Sequence, residues 1–117
     1  MSATPFEQLA HLDRRIHEPT RLAILAALSA CERADFLFLQ GITGLTKGNL
    51  SSHLAKLEEA GLVEIEKRFV DKKTQTLARL SREGRAALDG YWREVEALRK
   101  DAARWRPGQA LPVPAGS

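Results

Sequence analysis

Apolar residues at Phe6, Leu9, Leu12 and Ile16 recur three or four positions apart, the spacing that lines one face of a helix. They predict a first helix of about three turns starting at Phe6. Pro19, preceded by His17 and Glu18, suits the first turn of a second helix spanning Thr20 to Ala30. There Leu22, Ile24, Leu25 and Leu28, interleaved with alanines, cover most of the circumference, so this helix is expected near the centre of the core. Asp35 is a natural cap for a short third helix carrying Phe36, Leu37, Phe38 and Leu39, with Gly41 and Gly44 flanking its end. Thr46 caps a fourth, about Lys47 to Ala60, whose Leu50, Leu54 and Leu57 form one stripe and which Gly61 stops.

The period then changes. Val63, Ile65 and Phe69 alternate with Glu64, Glu66 and Arg68, which is strand spacing, and Asp71-Lys72-Lys73 makes a polar turn. Thr76, Ala78 and Leu80 mark the inner face of the returning strand, so the segment predicts one β-hairpin. Ser81 caps a last helix running to about Trp105. The first five residues read as loose, and the proline-rich stretch 107–117 reads as a disordered tail. The order is therefore helix, helix, helix-turn-helix, hairpin, long helix. It predicts a mainly α chain with a β-hairpin wing (α+β): a winged helix-turn-helix in residues 6–80 and a long C-terminal dimerisation helix in residues 81–106.

Composition narrows the classes. A chain of 117 residues is one domain, and 44% hydrophobic with 28% charged residues excludes a disordered protein. No apolar run is long enough to cross a bilayer, and no secretory signal pattern opens the chain. A single cysteine, Cys31, rules out an internal disulfide and a multi-thiolate metal site, so a reducing cytoplasm is the expected location. The formal charge of +3 permits an anionic partner, and its distribution points to one. Lys67, Arg68, Lys72, Lys73 and Arg79 face a single anion, Asp71, within residues 67–79, a local charge of +4. Cations gathered on a hairpin beside a helix suit contact with phosphates, each neutralised phosphate adding roughly 0.9 to the slope of log affinity against log salt. The alternative is a solubilising charge cluster on an edge strand.

On the fourth helix, with the leucine stripe turned inward, Gly48, Asn49, Ser51, Ser52, Ala55 and Lys56 fall on the flanks and outer face. These side chains are small, or carry hydroxyl, amide or ammonium groups. A helix in the major groove needs such a surface, because its backbone must approach closely and short donors must reach base edges. Thr46 and the helix N-terminus offer N–H groups to a phosphate. A merely solvated, well-capped face is the alternative.

The run Leu45 to Val63 (LTKGNLSSHLAKLEEAGLV) resembles the recognition helix of small bacterial winged-helix transcriptional regulators close to the MarR and ArsR families. Residues 76–85 (TLARLSREGR) are similar to the family's third strand leading into its final helix, and residues 17–25 (HEPTRLAIL) to the opening of its second. The likeness spans about residues 12–98. It implies that Lys47, Asn49, Ser51, Ser52 and Lys56 face DNA bases or backbone, while Thr46, His53, Lys67, Arg68, Lys72, Lys73 and Arg79 serve phosphates. It also implies a homodimer. In the last helix Leu88, Tyr91, Val95, Leu98, Ala102 and Trp105 follow heptad spacing, with Trp92 beside them, and form the expected dimer seam, to which residues 6–16 can add. The alternative is that this stripe packs on its own domain.

Other signals point away from chemistry. The histidines, His11, His17 and His53, show no paired metal-ligand spacing, so no metal or cofactor is expected, and Cys31 reads as an inert buried thiol rather than a redox switch. There is no nucleophile–base pattern and no phosphate-cradling glycine loop, which argues against an enzyme. The residues together predict a cytoplasmic homodimeric regulator, most simply a repressor, bound to double-stranded DNA. Any small-molecule effector would enter between the last helix and the core. The competing prediction is a winged-helix protein-interaction module without a specific DNA site.

Overall fold

The computed structural model of the chain describes residues 3–108. Its elements are α1 (Pro5–Ala10), α2 (Pro19–Ser29), β1 (Ala34–Asp35), α3 (Phe36–Thr43), α4 (Lys47–Glu59), β2 (Val63–Val70), β3 (Lys73–Leu80) and α5 (Arg82–Arg104). The winged helix-turn-helix predicted from the hydrophobic pattern is the architecture observed. The strands form an antiparallel sheet in the order β1-β3-β2. β1 pairs only two residues, Ala34 with Ala78 and Asp35 with Leu77, too few to leave an alternation in the sequence.

Caps fix the helix starts. The Thr46 hydroxyl accepts from the Asn49 N–H at 3.1 Å to open α4, and Asp35 accepts from the Phe38 N–H at 2.7 Å to open α3. Both carboxylate oxygens of Glu18 take N–H groups at the start of α2, from Thr20 at 2.8 Å and Arg21 at 2.9 Å. Two expectations at the N-terminus are corrected. Residues 4 and 5 are not loose, because Thr4 and Glu7 form a reciprocal capping box and Pro5 begins α1. Nor does α1 continue to Ile16. It ends at Ala10, and a separate turn follows in which the Asp13 carbonyl accepts from the Ile16 and His17 N–H groups while its carboxylate takes Arg15. A side chain that bonds its own neighbouring backbone competes with the helix ladder. Leu12 and Ile16 still reach the core from this turn.

The core lies between α2, α4, the root of the hairpin and one face of α5. Ile24, Leu25, Leu28, Leu39, Leu50, Leu57, Leu62 and Leu88 are all sealed within it. Gly61 has φ of +78°, a left-handed conformation that ends α4 and turns the chain into β2 without steric cost. The next junction is tight. The Ser81 N–H donates to the Leu62 carbonyl at 3.0 Å, its hydroxyl donates to the Gly61 carbonyl at 2.6 Å, and the same oxygen accepts from the Gly84 N–H at 2.9 Å. Gly84 sits so close to Leu62 that a Cβ there would fall on the Leu62 carbonyl oxygen. This contact ties the start of α5 to the end of α4.

The hairpin is registered from Val63 opposite Leu80 to Val70 opposite Lys73, leaving Asp71 and Lys72 as a two-residue loop with φ of +49° and +64°. Both values belong to the loop type whose twist matches that of the strands. Val63, Ile65, Ala78 and Leu80 face the core as expected, but Phe69 does not join them and is 75% exposed. It continues the inward phase beyond the point where the helices cover the ribbon. Of the expected C-terminal tail, residues 109–117 lie outside the described residues.

Candidate nucleic-acid interface

α4 buries Leu50, Leu54 and Leu57, and at about 100° per residue this fixes where every other side chain of the helix points. Lys47, Asn49, Ser51, Ser52 and Lys56 are all exposed, with Gly48 among them. They divide into two sets. Lys47 and Ser51, with Ala55, look toward the hairpin, whereas Asn49, Ser52 and Lys56 occupy the outer and opposite flank. His53 belongs to neither. Its Nδ1 stands 3.7 Å from a carboxylate oxygen of Glu18, and the ring fills the angle between α4 and the start of α2.

Glu18 collects several contacts at that angle. Its partial burial by itself would raise the carboxyl, but the N–H groups of Arg21 and Thr20, with the charges of His53 and Arg21, outweigh this and hold it below the ordinary range. Nothing in the sequence pairs Glu18 with His53, which are 35 positions apart. On the other side of the same turn, His17 Nδ1 lies 2.8 Å from the Tyr91 hydroxyl, whose pKa burial pushes up. The segment before α2 thus touches both the helix facing solvent and the long C-terminal helix.

A groove of about 1100 Å³ runs between α3, α4 and the hairpin, lined among others by Lys47, Ser51, Leu54, Lys67, Lys73 and Gln75. Two acidic residues, Asp35 and Glu58, also border it. Lys47, Lys56, Lys67, Lys72 and Lys73 make no ion pair among the described residues, so their charge is open to a partner. Arg68 and Arg79 differ. Arg68 pairs with Glu66 and Arg79 with Glu64, each at 3.0 Å. Over the whole ribbon, residues 63–80, five cations therefore meet three anions, Glu64, Glu66 and Asp71, a net +2 rather than the +4 of the shorter window. Exposed pairs of this kind are weak and can exchange for phosphates. Arg79 is moreover six positions from Lys73, about 20 Å along the strand, at the root rather than the tip. The open charge is thus concentrated at Lys67, Lys72 and Lys73. The sequence marks Phe69 only as a strand residue, yet it stands among these lysines at the exposed end of the ribbon. A strand longer than the helices that cover it is the signal that marks it.

The stripe on α5 is largely occupied within one chain. Leu88, Tyr91 and Leu98 are buried, and Val95, Ala102 and Trp105 are partly so. α1 folds back over this stripe and sets the Phe6 ring edge-on to Trp105 at 5.3 Å. Trp92 is the one member left exposed, at 44%. The opposite face is charged, with Glu96–Arg99 and Asp101–Arg104 pairs one turn apart. No helix among the described residues is long and apolar enough to cross a membrane, and none of their His, Cys, Asp and Glu side chains gather into a group of three that could hold a metal ion.

Residues 20–99 match the model of a family described as a winged helix DNA-binding domain. An uncharacterized protein of Methanocaldococcus jannaschii is 38% identical over 81 residues, which is 69% of this chain and 88% of that protein. Among solved structures, a transcriptional regulator homologue from Pyrococcus horikoshii OT3 aligns with a TM-score of 0.75 at 26% identity, covering 86% of this chain and 98% of its own. The transcriptional repressor CouR, solved on a 23-mer DNA duplex, aligns at 0.66 and 23% identity over 85% of this chain and 70% of its own, and shows the fold. Regulators of the MarR and ArsR families also align, at TM-scores of 0.56 and 0.53, and share the fold.

Proposed function

The chain belongs to the winged helix DNA-binding domain family, and from that premise we propose that it is a sequence-specific transcriptional regulator that binds duplex DNA as a homodimer and represses by occupying its site. The carrying observation is the groove between α4 and the hairpin, bordered by Lys47 on one side and Lys67 and Lys73 on the other. α4 enters the major groove with Asn49, Ser51 and Ser52 toward base edges and Lys47 and Lys56 toward bases or backbone. Thr46 lies at the N-terminus of α4, where N–H groups favour a phosphate. Lys72 and Lys73 hold the flanking phosphates, with Arg68 joining when it leaves Glu66. A repressor aligned with the same fold on a DNA duplex supports this arrangement. In a two-fold dimer the two α4 helices stand about one DNA turn apart, ~34–36 Å, which predicts a near-palindromic site.

The dimer contact falls to the exposed edge of α5 around Trp92, where the apolar stripe is still open, together with the half-exposed Phe6. Any effector enters between α5 and the winged-helix core.

A second reading, a protein-interaction module without a DNA site, is favoured by one observation. α3 exposes Leu37, Phe38 and Ile42 at 76, 50 and 53%. One experiment separates the two. Sheared genomic DNA of the source organism is selected with the protein at near-physiological salt, and the bound fragments are sequenced. Enrichment of sites sharing an inverted repeat is the expected result, with Asn49→Ala reducing discrimination between sequences and Lys73→Ala weakening all sequences alike. Recovery of nothing above background refutes the DNA reading and leaves the α3 face as the working surface.

A further inference from the structure

The hairpin tip combines two features that charge on its own does not explain. Phe69 is 75% exposed and Val70 44% exposed at the end of β2, although an exposed phenylalanine forgoes the burial that normally places it inside. Around them stand Lys67, Lys72 and Lys73 without ion-pair partners among the described residues. Lys72 moreover holds φ of +64° at the apex, a conformation that favours glycine or asparagine, so the chain keeps a cation there against the local preference. Successive strand residues point to opposite faces, so Phe69 with Lys67 on one face and Val70 with Lys73 on the other make a thin tip that is apolar on both sides and edged by cations, a shape that fits a partner that is apolar between two rows of negative charge.

The minor groove of duplex DNA is such a partner: deoxyribose walls and base edges lie between two phosphate strands. The spacing agrees. β2 is eight residues long, about 25 Å from its root at the end of α4 to its tip. Half a DNA turn, the step from a major groove to the next minor groove, is about 17 Å. With α4 in the major groove, the strand between the two grooves lies along Lys47, Lys67 and Lys73, and the tip reaches past it. Phe69 shares its ribbon face with Val63, Ile65 and Lys67, the face turned toward α4, and is paired across the ribbon with Thr74. We propose that Phe69 is a specificity-determining residue, an apolar wedge that the wing lays into the minor groove, selecting sites with a flexible pyrimidine–purine step at that position. Such a step unstacks more readily than others, so sequence is read there through deformability without a hydrogen bond to a base.

This inference rests on the DNA-binding function proposed above, and its test separates the two. A duplex carrying the selected site, with 2-aminopurine at the flanking step beneath the tip, is titrated with the wild type, Phe69→Ala, Phe69→Leu and Lys73→Ala. A second duplex replaces the flexible step with a stiff A-tract. The wild type is expected to raise 2-aminopurine fluorescence and to prefer the flexible duplex by about tenfold. Phe69→Ala loses both the preference and the fluorescence change while keeping the salt slope. Phe69→Leu retains part of each, and Lys73→Ala keeps the preference but lowers the slope. If Phe69→Ala retains the preference, or weakens both duplexes equally, the wedge is refuted and the DNA-binding reading stands. If the wild type binds neither duplex, both fall together.

Discussion

Replacing Gly84 with alanine tests the junction that orients α5 against α4. In an unobstructed helix the change favours folding by about 1 kcal/mol, because alanine loses less backbone freedom than glycine. Here the added Cβ lands on the Leu62 carbonyl oxygen, with the carbonyl carbon at 2.8 Å and the Leu62 Cα at 3.1 Å. All three are backbone atoms, so no rotamer change relieves the clash, and the first turn of α5 must withdraw by roughly 1.5 Å to restore ordinary contact. That withdrawal stretches the Ser81 N–H bond to Leu62 and the Ser81 hydroxyl bond to Gly61, each contributing about 1 kcal/mol, and it opens the packing around the fully buried Leu88. Net of the helix-propensity gain, Gly84→Ala is expected to destabilise by about 2–3 kcal/mol. That corresponds to a melting temperature lower by roughly 10 °C. Gly90→Ala is the control on the same helix. Its nearest non-neighbour atom is an Arg93 guanidinium nitrogen at 3.8 Å, so it is expected to gain about 0.5–1 kcal/mol. Urea unfolding followed by far-UV circular dichroism measures both. A Gly84→Ala protein as stable as the wild type would refute the junction described here.

Lys72→Gly relieves the left-handed apex and is expected to raise stability by about 1 kcal/mol, while lowering the DNA salt slope by about one unit; a loss of stability would show that Lys72 is not strained. Glu18 is more acidic in the fold than the ordinary glutamate value of 4.5, so its contribution is present above that pH and is lost as pH falls through the lower folded value. Glu18→Ala should therefore cost about 1 kcal/mol at pH 7, with a gap to the wild type that narrows toward pH 3; a gap constant with pH would count against it. Gly48 has open space where a Cβ would go, so Gly48→Ala should stabilise α4 by about 1 kcal/mol, and weakened operator binding in the same protein would show that DNA backbone approaches this point. Leu98 is 3% exposed, so Leu98→Asp is expected to unfold the chain, whereas Trp92→Ser should leave the urea midpoint within error and produce monomers by light scattering. A dimer that survives Trp92→Ser places the interface elsewhere.

α4 was legible because three independent signals agree: Thr46 as a cap, leucines at helical spacing, and Gly61 as a stop. The hairpin was legible from its change of period. The sequence misleads where periodicity and local hydrogen bonding disagree. Leu12 and Ile16 keep the helical phase of Phe6 and Leu9, yet Asp13 bonds the neighbouring backbone and the chain turns instead. Phe69 keeps the inward phase of Val63 and Ile65, yet no helix among the described residues reaches far enough to cover it.

Charge shows the same division. The five cations of the hairpin can be counted along the chain, but which remain open depends on cross-strand register: opposite Arg79 the register sets Glu64, and a two-residue offset on one face sets Glu66 beside Arg68. The heptad-spaced stripe on α5 likewise declares an apolar face without naming what covers it, and within the chain the core covers it at Leu88 while α1 covers it at Trp105. Periodicity and capping act over a few residues, so the amino-acid sequence by itself determined the elements, their order and the outward chemistry of α4. Contacts such as Gly84 against Leu62, Glu18 beside His53, and the groove between α4 and the hairpin join residues far apart in the chain. They exist only once the elements pack, because only then do backbone approach and strand register decide which groups meet.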